Sequence, residues 1–144
     1  MFSKSCEYAI KATIFIATKS SESRKVGLKE IATAIDSPLA FTAKILQKLS
    51  KNSIVNSVKG VSGGFEIIPN QLPLITLMQV VEAIDGNHVF SGCGLGLETC
   101  SEVHPCPVHY EMKEIKDKLA TLLRTTSLED LASGVVAGFS FLKY

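Results

Sequence analysis

The stretch from Leu28 to Ile68 constrains this chain most, because its hydrophobic period changes from helical to strand-like within a short span. Leu28, Ile31, Ala32 and Ile35 recur at helical spacing, with Glu30 in the first turn, where a carboxylate suits the helix dipole. Asp36-Ser37-Pro38 then stops this helix and restarts the chain, since Ser37 is a capping residue type and Pro38 fits a first helical position. The next helix, Leu39 to about Asn52, turns Phe41, Ile45, Leu46 and Leu49 inward and places Lys44, Lys48 and Lys51 at i, i+4, i+7 on another face. Ile54 to Lys59 alternates apolar and polar residues, Gly60 to Gly64 is a glycine-rich turn, and Phe65 to Ile68 returns, which predicts a β-hairpin.

The flanking sequence is helical. Residues 5 to 18 form a helix with Ile10, Ile14 and Ala17 on one face and Ser5 or Ser3 as N-cap. Thr76 and Gln79 have the spacing of a capping box that opens a helix with Leu77, Val80, Val81 and Ile84 inward, and Asp85-Gly86 ends it. Residues 87 to 107 are rich in cysteine, glycine and proline and lack a period. From Pro107 or Val108 a longer helix carries Met112, Ile115, Leu119 and Leu122 or Leu123, and a Thr126-x-x-Glu129 box starts a last segment. A chain of 144 residues supports one core. No apolar run is long enough to cross a bilayer, and Lys4, Glu7 and Lys11 interrupt any secretory signal, so the expected location is the cytoplasm, without a membrane partner.

A helix, a short helix, a tight turn, a basic helix and a hairpin make a winged helix-turn-helix, so the expected class is mainly α with a small β-hairpin wing. Charge supports a polyanionic partner. Residues 1–60 hold ten Lys or Arg against four Asp or Glu, a balance of +6, while residues 61–144 hold five against ten, a balance of −5. In such a fold the basic helix enters the major groove of double-stranded DNA and the wing lies along the backbone or minor groove. Lys44, Lys48, Lys51 and Lys59 are the expected phosphate contacts. Ser37, Ala40, Thr42 and Ala43 are short side chains near the start of that helix, placed to meet base edges, and Ser62 sits in the wing turn. Lysines on a helix face also serve as plain solvated charge, and winged helices also dock proteins; the lysine before the wing turn and the +6 segment favour DNA.

Cys93, Cys100 and Cys106 follow the pattern C-x6-C-x5-C-x2-H, ending at His109, with Cys6 apart from them. A disulfide framework does not suit a cytosolic chain with an adequate core, so metal or redox chemistry is the better explanation. Thiolates favour zinc or iron–sulfur clusters. A zinc knuckle normally uses two short ligand steps, and only Cys106-Pro107-Val108-His109 has one. Three thiolates on a glycine-containing loop can wrap a cluster whose fourth ligand comes from elsewhere. His88 and His104 read as loop residues and Cys6 as a small packed side chain. No Cys-x-x-Cys pair, nucleotide fingerprint or acid/base constellation supports an iron–sulfur carrier or redox enzyme, and no enzyme is expected.

Glu7-Tyr8-Ala9, Ser57-Val58-Lys59-Gly60, Gly63-Gly64-Phe65, the three cysteines and the helix after them together resemble the IscR/NsrR/RirA/CymR family of bacterial winged-helix regulators. The resemblance covers the whole chain. It implies a homodimer paired through the helix near residues 109 to 124, a pseudo-palindromic operator, and a [2Fe-2S] or [4Fe-4S] cluster on Cys93, Cys100 and Cys106. His109 falls where IscR-like members place a fourth ligand, and Glu7 where NsrR-like members place a carboxylate that reaches the partner subunit's cluster; both remain open. The implied division is a DNA-binding region at 1–70 and, at 71–144, the cluster loop (87–107) with the dimerisation helices.

Three positions depart from the family pattern. The first cysteine gap is six residues where five is usual, which bears on cluster retention. Ala43 stands where IscR-like members carry an operator-discriminating glutamate, so the target sequence stays open. Lys59 keeps the charge of the usual arginine but loses its planar fork. The expected function is a transcriptional regulator whose operator binding is controlled by a cluster sensing nitric oxide, redox state or cluster supply. The alternative is a cluster-free regulator with a zinc site or thiol switch in the same loop.

Overall fold

Ser3 starts the first helix of the computed structural model, which describes residues 1–143: its side chain accepts a hydrogen bond from the Cys6 N–H at 3.1 Å. Helix α1 (Lys4–Ser21) is the central element. Its Ala9, Ala12, Ile16 and Ala17 are fully buried, and the three alanines let neighbouring helices approach closely. α2 (Leu28–Ile35), α3 (Leu39–Lys51), α4 (Leu77–Asp85) and α7 (Leu128–Val136) all pack against it.

The turn between α2 and α3 differs from the sequence expectation. Asp36 takes a left-handed conformation (φ 55°), its N–H bonds Thr33 O at 3.3 Å, and the Ser37 N–H reaches Ala32 O at 3.0 Å. This closure draws Ser37 into the turn. Ser37 therefore caps nothing; Pro38 is the N-cap of α3, and the Ser37 hydroxyl is enclosed without a hydrogen-bond partner.

Strands β1 (Asn56–Val58) and β2 (Gly64–Glu66) pair antiparallel in the register Asn56↔Glu66, Ser57↔Phe65, Val58↔Gly64. The hairpin is thus shorter than its alternating pattern, because Ile54, Val55 and Ile67 leave the ladder and enter the core. Val26 pairs with Phe65 through backbone bonds of 3.0 and 2.7 Å and fixes the wing to the loop before α2. A Cβ on Gly63 would lie 2.2 Å from Val58 O, so the wing turn excludes any side chain there.

A short 3-10 turn (Pro69–Gln71) leads to α4. Its capping box forms as expected, with the Gln79 carboxamide accepting from the Thr76 N–H at 2.8 Å. The cysteine loop opens with a single helical turn, α5 (His88–Ser91), which the sequence pattern does not announce. α6 (His109–Thr125) then packs on α4 through the buried Ala120 and Leu123, within a second apolar cluster that includes Cys6, Leu77, Met78 and Val81. On its other side Tyr110, Ile115 and Leu122 are more than half exposed.

The chain entering α4 pairs with the chain entering α7. The Leu77 N–H donates to Thr126 O at 3.0 Å, and the Leu128 N–H donates to Ile75 O at 2.9 Å. α7 begins one residue later than expected: Ser127 and Asp130 form its capping box, because the Thr126 hydroxyl donates back to Leu122 O at 2.6 Å. Among the described residues no helix is long and apolar enough to cross a membrane.

Candidate DNA interface and cysteine pocket

The core stripe of α3 is Thr42, Ile45, Leu46 and Leu49, spaced i, i+3, i+4, i+7 and all buried. Thr42 is fully enclosed and its hydroxyl donates to Pro38 O at 2.9 Å. Its expected role at a base edge is therefore corrected, and so is that of Ser37, whose hydroxyl is shut inside the turn. The outward face of α3 presents Ala40, Lys44, Lys48 and Lys51, with Ala43 half-buried beside them. Gln47 shares this exposed face, and its place one turn after Ala43 and Lys44 is the sequence signal for it. A glutamine there has the bidentate amide suited to adenine. Lys59 and Ser62 are exposed at the end of the wing.

A further basic group lies at the start of α1. Lys4 and Lys11 sit 5.2 and 4.7 Å from the centre of the Tyr8 ring, and Tyr8 meets Phe41 of α3 edge-on at 5.7 Å. Cation–π contact thus gathers amines next to the basic helix. Glu7 is exposed on the same turn and pairs with Lys4 at 3.0 Å. It does not line the cysteine pocket of its own chain.

Cys93, Cys100, Cys106 and His109 all line one cavity of about 210 Å³ between the loop and the first turns of α6, floored by Phe90 and Met112. His109 is buried as the first residue of α6; its Nδ1 lies 3.4 Å from Cys100 Sγ, and its Nε2 is enclosed with no hydrogen-bond partner. The Cys93 thiol is held below its ordinary pKa, chiefly by backbone N–H groups of Leu95 and Leu97 that point at the sulfur, with Cys106 and the Lys116 ammonium adding to the effect. Two side chains of α6 tie the loop down: Lys116 donates to Gly92 O and Lys113 pairs with Glu102. Among the described residues no three His, Cys, Asp or Glu side chains are yet placed together as a finished metal site. The donor set still suits a soft metal centre: three thiols, one biased toward thiolate, and a buried imidazole nitrogen left without a partner. His88 and His104 are exposed and outside this cavity. Cys6 is buried in the second apolar cluster, as a small packed side chain should be.

Comparison with known proteins agrees with this architecture. The sequence profile of Rrf2, described as an iron-dependent transcriptional regulator, matches residues 2–134. A protein of Aquifex aeolicus classed among the HTH-type transcriptional regulators is 32% identical over 133 residues, covering 91% of this chain and 90% of its own. The HTH-type transcriptional regulator IscR of Photorhabdus laumondii is 28% identical over 126 residues, covering 88% of this chain and 75% of its own. Among solved structures, CymR, the global cysteine regulator of B. subtilis, superposes with a TM-score of 0.76 at 24% identity, over 92% of this chain and 96% of its own. IscR of T. potens superposes with a TM-score of 0.72 at 18% identity, over 97% of this chain and 91% of its own. Both share the winged-helix fold described above.

Proposed function

The chain belongs to the Rrf2 family of transcriptional regulators, and from that premise we propose that it is a cytoplasmic homodimer whose hold on an operator is set by an iron–sulfur cluster in the cysteine pocket. The observation that carries this reading is the convergence of Cys93, Cys100, Cys106 and the unpartnered His109 imidazole on one cavity. These four side chains would hold the cluster, with His109 as fourth ligand from within the subunit. A bound cluster supplies a centre that reacts with nitric oxide and oxygen and reports cluster supply.

Residues 1–70 read DNA and residues 71–144 carry the loop and the dimer helix. Lys44, Lys48, Lys51 and Lys59 meet phosphates, while Ala40, Ala43 and Gln47 face the major groove, with Ser62 on the wing. Four lysines in each of two subunits give roughly eight contacts and contribute about −7 to the log–log salt slope. Held by the three thiolates and His109, a cluster would add to the Lys116–Gly92 and Lys113–Glu102 ties between the loop and α6. Without it that end of α6 would be held less firmly, while its other end stays bonded to the chain before α4. The two recognition helices of the dimer then change their separation.

A second reading rests on a separate observation. Cys106 lies close enough to Cys93 to help hold its thiol low, which suits a thiol switch without a cluster. Anaerobic purification separates the two. Visible absorbance with iron and acid-labile sulfide, and DNA retardation that changes when the cluster is lost, support the first. Colourless, iron-free protein from the same preparation rejects it, and retardation that responds to thiol oxidation then supports the second.

A further inference from the structure

The Rrf2 profile stops at residue 134, so the segment after α7 is not part of what the family match explains. Its described residues, up to Lys143, begin with a turn. Gly138 takes φ 75°, and the N–H groups of Phe139 and Ser140 both return to Gly134 O, at 3.0 and 3.2 Å. The chain therefore reverses after α7, and Lys143 comes to line a groove of about 660 Å³ formed by Lys29, Thr33 and Asp36 of the α2 side and by Pro38 and Leu39 at the start of α3. A residue far from the reading head in sequence thus stands beside its central turn.

The location decides what such a groove faces. In a helix-turn-helix the first helix of the pair crosses the nucleic-acid backbone while the second enters the major groove. Here α2 is the first helix, and its row Lys29–Thr33–Asp36 is where the backbone would run. Lys29 and Asp36 alone leave this row without net charge, and a carboxylate beside a phosphate is repulsive. Lys143 adds an ammonium to the same groove and makes it cationic.

We propose that the segment after α7 delivers Lys143 to the DNA backbone as an additional phosphate contact, working with Lys29 across the groove at the α2–α3 turn. This inference rests on the DNA-binding reading above and adds a contact supplied from outside the winged helix. Its effect is sequence-independent, because phosphate contacts carry affinity and salt dependence rather than base readout.

The test uses the full chain and a fluorescein-labelled random-sequence duplex of about 30 base pairs, long enough for two half-sites one helical turn apart. Anisotropy titrations across a range of salt give the log–log slope for wild type, Lys143→Ala, Lys29→Ala and Lys19→Ala, the last altering a lysine paired with Glu22 away from the groove. Lys143→Ala and Lys29→Ala should each make the slope shallower by about 2 for the dimer, so that the affinity lost between about 50 and 200 mM salt shrinks by about tenfold. Lys143→Arg should restore the slope, and Lys19→Ala should leave it unchanged. A Lys143→Ala slope equal to wild type overturns the proposal and reduces Lys143 to an intramolecular neighbour of Asp36. Failure of wild type to bind any duplex would instead remove the DNA-binding reading on which the proposal stands.

Discussion

Nδ1 of His109 lies 3.4 Å from Sγ of Cys100, while the other ring nitrogen is buried and bonded to nothing. A buried polar atom without a partner costs stability unless something occupies the site, so His109 is the ligand candidate that its own chain places with the cysteines. Glu7, the rival candidate, is exposed and engaged with Lys4. Anaerobically purified His109→Ala should therefore lose most of its iron and visible absorbance, whereas Glu7→Gln should keep both. The opposite pattern, read by iron and sulfide analysis, would assign the fourth ligand to the partner subunit.

Cys6 should behave unlike the loop cysteines. Burial pushes its thiol up to about 12, and the Asp85 and Glu7 carboxylates add to the rise. The native protein should thus leave Cys6 unmodified by iodoacetamide until urea unfolds it. The sign for stability follows from linkage: the native state keeps a proton that the unfolded thiol gives up, so this contribution is complete below the ordinary thiol range and is lost as pH rises toward about 12. Urea melts at about pH 8 and about pH 10.5 should show a smaller loss for Cys6→Ala than for wild type.

Thr42 and Leu46 on the core stripe of α3, set against Gln47 on its exposed face, separate folding from reading on one helix. Thr42→Val removes the bond to Pro38 O and should cost about 1 kcal/mol in urea melts, with duplex affinity unchanged. Leu46→Ala empties a fully buried site and should cost about 2–5 kcal/mol. Gln47→Ala should do the reverse, leaving melts alone and weakening specific binding. A loss of operator discrimination in Thr42→Val at unchanged stability would restore Thr42 to the reading face.

Ile115 is 55% exposed on α6 and needs no partner within the chain. If this face pairs two subunits, Ile115→Glu should yield a folded monomer by sedimentation and cut the salt slope by about half. A dimer that survives this change places the interface elsewhere.

Much of the reading head was legible because its signals are periodic. The lysines of α3 and the glycines of the wing could be placed from spacing alone. Thr42 is misplaced when it is grouped by its short side chain and its position near the helix start, since its register with Ile45, Leu46 and Leu49 puts it on the core stripe. Two overlapping boxes, Thr126-x-x-Glu129 and Ser127-x-x-Asp130, fit the start of α7 equally well on paper. The back-bond from Thr126 to Leu122 O chooses between them, and that is a property of the α6 terminus. The pairing of Val26 with Phe65 was invisible because a single residue has no period. In the cysteine pocket the grouping of Cys93, Cys100, Cys106 and His109 around one cavity was legible from their spacing, and the burial of His109 against Cys100 was not, since it depends on how the loop folds onto α6.

The backbone clasp between Ile75–Leu77 and Thr126–Leu128 makes α6 a cantilever. Its root is bonded next to α4 and packed there through Ala120 and Leu123, and its tip is His109, eleven residues beyond Ala120 along the helix or about 16 Å. Each degree of tilt about that root would move the tip by roughly 0.3 Å. The pocket sits where leverage is greatest, so a small rearrangement among its side chains is an efficient way to steer a helix without breaking the bonds that hold it.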